Sequence, residues 1–198
     1  MNPLKSIAGA ITTGVVIALI LAFAYQPSAF NELGAIMWLH VLAGIMWIGL
    51  LFYFNVAQIP ALAAATADTG GPGGAGIAKY VAPRALFWFR WAALVTWLAG
   101  AWYLLRSDSF LSTFSLGLMN DSTQALILGT GVWLGTIMLF NVWVLIWPNQ
   151  KKVLGITPAT DAEKARARTI ALNASRLNFV LSIPMLMCMI GPSHGLPF

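Results

Sequence analysis

The chain has 198 residues, of which 59% are hydrophobic and only 9% charged, with a net charge of +5. An ordinary soluble domain carries about 25% charged residues, so this composition excludes a globule that solvates its own surface. The cations lie in short segments between apolar runs and form no basic face, which argues for membrane topology and against a nucleic-acid partner.

Taken in chain order, five apolar runs predict transmembrane helices at about residues 7–25, 33–56, 85–105, 124–147 and 172–190. Each is near the ~20 residues that a hydrocarbon core demands of a helix. The first run follows Lys5 and is longer than the ~7–15 apolar residues of a secretory signal, so it reads as a retained helix. Residues 69–76, with five glycines and one proline, predict a flexible loop, because ordering so many glycines costs too much backbone entropy.

Lysine and arginine in short loops are held on the cytoplasmic side. A cytoplasmic N-terminus puts Lys5, Lys79, Arg84, Lys151, Lys152, Lys164, Arg166, Arg168 and Arg176 on that side, with Arg90 near it and only Arg106 opposite. The C-terminus is then periplasmic. Residues 161–168 (DAEKARAR) predict a charged start to the fifth helix, acids before bases as the helix dipole favours.

The second and fourth spans carry an echo. Trp47-Ile48-Gly49 with Phe54-Asn55-Val56 recurs as Trp133-Leu134-Gly135 with Phe140-Asn141-Val142. This is the pattern of a parallel internal repeat about an axis along the membrane normal. Gly49 and Gly135 are expected at close helix approaches, and Asn55 and Asn141 are expected to hydrogen-bond across helices.

Candidate chemistry is confined to few side chains. His40, in the second span, and His194, just after the fifth, are the two histidines, and the predicted topology puts both in the outer half of the membrane. An imidazole there is costly unless paired or ligated. Neutral imidazoles from two helices suit the axial positions of a haem iron between apolar walls, although His40 lies deeper than His194; a hydrogen-bonded packing role is the alternative for His40. Arg106 is the one cation on that side, and guanidinium suits the pairing of a haem propionate. Met185, Met187, Cys188 and Met189 offer soft sulfur of the kind that selects copper(I), or plain gap-filling. Cys188 is the lone cysteine, so there is neither a disulfide framework nor a paired-cysteine metal motif. Covalent haem, zinc-protease and P-loop signatures are absent from the sequence.

The sequence resembles the membrane region of bacterial membrane-bound urate hydroxylases, the urate oxidase N-terminal domain family. The resemblance is carried by Leu39-His40, Ala43-Gly44-Ile45, Trp47-Ile48-Gly49 and Phe52-Tyr53-Phe54, then by Lys79-Tyr80-Val81-Ala82-Pro83, Phe87-Trp88-Phe89-Arg90-Trp91 and Thr96-Trp97-Leu98-Ala99-Gly100. It closes with Asn141-Val142-Trp143, Trp147-Pro148-Asn149-Gln150, Leu181-Ser182-Ile183-Pro184-Met185 and His194. Full-length members of that family continue into a c-type cytochrome, a domain that is not expected within these 198 residues. This chain also has Ala92 where the family has an acid and glycines where the family has a loop histidine. More weakly, the histidine–tryptophan helix is similar to those of haem-binding protoporphyrinogen oxidases and copper-resistance membrane proteins. What these resemblances share, and imply here, is a redox cofactor held within helices.

The sequence therefore predicts an all-α integral membrane protein of about five transmembrane helices, one helical domain over residues 1–198, in the bacterial inner membrane among its lipids. The expected function is that of a haem b-binding electron-transfer protein or redox subunit, with His40, His194 and Arg106 at the cofactor and quinol or a c-type cytochrome as electron partner. The alternative is a cofactor-free accessory subunit of a larger membrane complex.

Overall fold

The structure is a computed structural model that describes residues 2–27 and 30–197. Among the described residues every regular element is helical. The chain divides into two compact units, Met1–Glu32 and Leu33–Phe198. In the first, α1 spans Ile7–Tyr25, its start capped by the Ser6 side chain accepting from the Gly9 N–H, and it buries none of its residues. Its bounds match the predicted first span.

The second unit contains the remaining helices. α2 (Glu32–Phe52) runs through a π-helical turn (Tyr53–Gln58) into α3 (Ile59–Ala67). A second π-helical turn (Ile77–Val81) leads into α4 (Ala82–Arg106), which is followed by the short α5 (Phe110–Phe114). α6 (Thr123–Phe140) passes through a third π-helical turn (Asn141–Ile146) into α7 (Trp147–Val153), and α8 spans Asp161–His194. Residues 68–74 are non-helical, as their glycines require.

One sequence feature accounts for the three π turns. In each, the first residue after the turn donates its N–H to a carbonyl five residues back: Ile59 to Phe54, Ala82 to Ile77 and Trp147 to Val142. The next residue is always a proline, Pro60, Pro83 or Pro148. Proline has no N–H to give and its ring crowds the carbonyl four residues back; a widened turn relieves that crowding without ending the helix.

Among the described residues, four helical stretches are long and apolar enough to cross a membrane: Ile7–Tyr25, Glu32–Ala67, Thr123–Val153 and Asp161–His194. The third predicted span, now α4, is a 25-residue helix that falls short on composition, because Arg90 and four tryptophans dilute its apolar content. It is nonetheless deeply packed, burying Ala82, Ala85, Leu86, Phe89, Ala92, Ala93, Thr96, Ala99 and Leu104. The predicted charged start of the last helix is present, locked by a reciprocal capping box between Thr160 and Glu163.

The main seam joins α6 to α8. On α6 and its π turn, Gly131, Gly135, Met138, Val142 and Ile146 are buried. α8 answers with Ala167, Ala171, Ala174, Asn178, Ser182, Met185 and Cys188. Small residues at this spacing let backbones approach where lipid offers no hydrophobic drive. A Cβ on Gly131 would stand 3.0 Å from Cys188 Cβ. The expectation of close approach at Gly49 and Gly135 is not met, since neither would place a Cβ within 4 Å of any neighbour. Gly49 points off the α2 seam and is exposed; Gly135 lies on the α6 seam over a small gap. Both echoed asparagines do bond across to α8. Asn55 Nδ2 donates to Ser175 Oγ (3.0 Å), and Asn141 Nδ2 donates to Asn178 Oδ1 (2.8 Å).

Candidate functional site around His40

α2 buries Trp47 and Leu51, and the π turn that continues it buries Phe54 and Gln58. These positions, extended back through Gly44 and His40, repeat at three- and four-residue intervals, the seam spacing of a helix packed along a neighbour. The neighbour is α4: Phe54 meets Phe89 edge-on at 5.5 Å, and a Cβ on Gly44 would lie 3.7 Å from Thr96 Cγ2.

At the far end of this seam, His40 Nδ1 stands 2.8 Å from the Thr96 carbonyl oxygen. A carbonyl can only accept, so Nδ1 carries the proton, and in the neutral ring Nε2 is left with a bare lone pair. The Thr96 hydroxyl donates back to the Ala92 carbonyl (2.7 Å), fixing the side chain of the residue whose carbonyl receives the histidine. Gly100, one turn on, makes room for the ring. A Cβ there would stand 2.9 Å from His40 Cε1 and 3.0 Å from Nδ1, but 4.0 Å from Nε2. The imidazole thus lies with its Nδ1 edge against the α4 backbone and its Nε2 directed away from it.

An imidazole whose Nδ1–H is held by a backbone carbonyl is the arrangement that orients a metal-ligating histidine and sets its tautomer. A single imidazole held this way, with Nε2 free of the backbone, would suit a bond to a haem iron from His40. The other two predicted site residues stand at helix ends. His194 is the last residue of α8 and is exposed. Arg106 is the last residue of α4, six residues beyond Gly100 and so about 9 Å further along the axis. The hydrogen bond that engages the His40 side chain is to α4, and His194 is not part of it. Of the sulfur-bearing residues, Met185 and Cys188 are buried towards α6 while Met187 is exposed. Among the described residues, no group of three or more His, Cys, Asp or Glu side chains is placed to hold a metal ion.

Thr96 and Gly100 are the functional residues that the sequence reading missed. Both lie in a stretch quoted for the family resemblance, and their four-residue spacing puts a carbonyl and a gap on one helix face. Pairing that face with His40 requires knowing which helix lies beside α2.

Helices of this length and composition, with small-residue seams and satisfied intramembrane asparagines, define an all-helical membrane protein. Within that class, residues 110–198 match the family model described as urate oxidase N-terminal. The match supports the family resemblance over α5 to α8, a stretch of less than half the chain that includes His194 and excludes His40 and Arg106. No curated protein and no solved structure matches the chain.

Proposed function

We propose that this chain is a haem b-binding electron-transfer protein or redox subunit of the bacterial inner membrane, related to membrane-bound urate hydroxylases, with His40 as the residue that would hold the iron. The observation that carries the reading is the His40–Thr96 hydrogen bond, which leaves Nε2 unprotonated at membrane depth. Bound there, a haem supplies one-electron chemistry. The chain's own part is to hold the imidazole tautomer through Thr96 and to admit the ring through Gly100. His194, at the end of α8, is the proposed second ligand, and Arg106, at the end of α4, the proposed partner of a propionate. Quinol is the expected reductant, and a c-type cytochrome the expected acceptor.

The test is the dithionite-reduced minus oxidised spectrum of the detergent-solubilised protein beside His40→Ala. A b-type spectrum that disappears in the variant is the expected result. A folded wild type without a Soret band or iron would overturn the proposal and leave the chain as a cofactor-free accessory subunit.

A further inference from the structure

Away from His40, the opposite end of α4 carries a charge that no side chain among the described residues neutralises. Arg90 is half-buried, and its guanidinium carbon stands 3.7 Å above the centre of the Trp147 ring and 5.2 Å from that of Phe87. Lys151 Nζ approaches the same indole at 5.9 Å. Among the described residues, no carboxylate pairs with either cation; Asp161 pairs with Lys164 instead. Stacking on an aromatic face satisfies the charge in part, but a guanidinium lying over a ring keeps its in-plane N–H groups for other acceptors. Among the described residues, the Arg90 N–H groups meet the two aromatic faces and no hydrogen-bond acceptor.

A groove begins one turn deeper. It is lined by Leu94 and Trp97 from α4 and by Thr136, Leu139, Phe140 and Trp143 from α6 and its π turn, with a volume of about 470 Å³. Its lining follows directly from the cationic site, since Leu94 is four residues after Arg90 and Trp143 four before Trp147. The antiparallel course of the two walls is fixed at the deeper end, where Trp97 Nε1 donates to Thr136 Oγ1 at 2.9 Å. That bond satisfies Trp97 and Thr136, whose hydroxyl in turn donates to the Val132 carbonyl, while among the described residues the buried Trp143 Nε1 on the same wall has no hydrogen-bond partner. The groove therefore offers apolar surface with two cations at its mouth.

We propose that Arg90, Trp147 and Lys151 hold the phosphate of an anionic phospholipid, one acyl chain of which lies in the groove between α4 and α6. A phosphate presents the paired acceptor oxygens that a guanidinium edge matches, and Lys151 adds a point charge for a second negative group. On the topology predicted from the basic residues, this end of α4 faces the cytoplasm, the leaflet whose anionic lipids attract basic side chains. Charge at the mouth and an apolar channel behind it select a lipid over a free anion. The site is independent of any cofactor at His40.

Native mass spectrometry of the full chain in mild detergent tests this, with phosphatidylglycerol and phosphatidylcholine of matched acyl chains as probes. Phosphatidylglycerol should stay bound and phosphatidylcholine should not. Arg90→Gln should lower retention about tenfold, the loss of a bidentate charge-assisted pair. Lys151→Gln on α7 should lower it less and serves if Arg90→Gln does not fold. Leu139→Trp, which fills the groove, should also release the lipid. Equal retention of both lipids, or unchanged retention in both charge variants, would overturn the proposal. Displacement of the lipid by millimolar inorganic phosphate would overturn it too, as the mark of a simple anion site.

Discussion

The two echoed segments, α2 through α3 and α6 through α7, share a backbone pattern and differ in what surrounds it. Each is a long helix interrupted by a π turn at its asparagine and restarted by a proline, Pro60 or Pro148. Trp47 is 2% exposed on the seam towards α4, whereas its counterpart Trp133 is 44% exposed and donates to the Phe114 carbonyl. Asn55 is half-buried, while Asn141 is buried and bonds the fully enclosed Asn178. Eighty-six residues after His40 stands Leu126, 47% exposed. The same local sequence has thus been built once as the tightly seamed partner of α8 and once as the carrier of an oriented imidazole. Local pattern sets the backbone, and the neighbouring helix sets the role.

The comparison breaks most readily at the glycines. Gly131→Leu should destabilise by about 1–3 kcal/mol, because its side chain must displace Cys188 from a packed seam. Gly49→Leu, in open space on α2, should stay within about 0.5 kcal/mol of wild type. Denaturant titration in mixed micelles, followed by tryptophan fluorescence, measures both. Equal costs would mean that the two segments are packed alike.

The asparagines sharpen it further. Asn178 accepts from Asn141 and donates to the Met138 carbonyl at 3.0 Å, so Asn178→Ala removes two buried bonds. Interhelical bonds in membranes average about 0.6 kcal/mol and reach about 1.7, which puts this loss at about 1–2 kcal/mol. Asn55→Ala removes one interhelical bond at a partly exposed position and should cost about 0.5 kcal/mol. A larger loss for Asn55 in the same titration would reverse the assignment of α6–α8 as the tighter pair.

The substitution most informative for function is Gly100→Ala. Its methyl group would meet the His40 ring at 2.9–3.0 Å and push Nδ1 off the Thr96 carbonyl. The helix should tolerate alanine, which it prefers to glycine, while any chromophore at His40 shifts its absorption. An unchanged spectrum would separate the ring's seat from the cofactor.

The five apolar runs, the glycine-rich break and the capped start of α8 were legible because they depend on composition and local spacing. Cross-helix bonding by Asn55 and Asn141 was legible too, since a buried amide in lipid must find a partner. Ser175 and Asn178 were not, because which helix supplies the partner is a tertiary matter. The π turns escaped notice although Pro60, Pro83 and Pro148 announce them; an intrahelical proline reads equally as a kink or a stop. At the candidate site, sequence singled out His40 by its cost in hydrocarbon. The Thr96 carbonyl is a backbone atom with no signature, and Gly100 resembled an ordinary packing residue.

The central claim is ligation through His40 Nε2, and imidazole rescue tests it most directly. His40→Gly, purified alone and then given millimolar imidazole, is compared with wild type by reduced-minus-oxidised spectroscopy. The account predicts a b-type spectrum in wild type, its loss in the variant and its return with imidazole. A b-type spectrum that persists in His40→Gly without imidazole would contradict it.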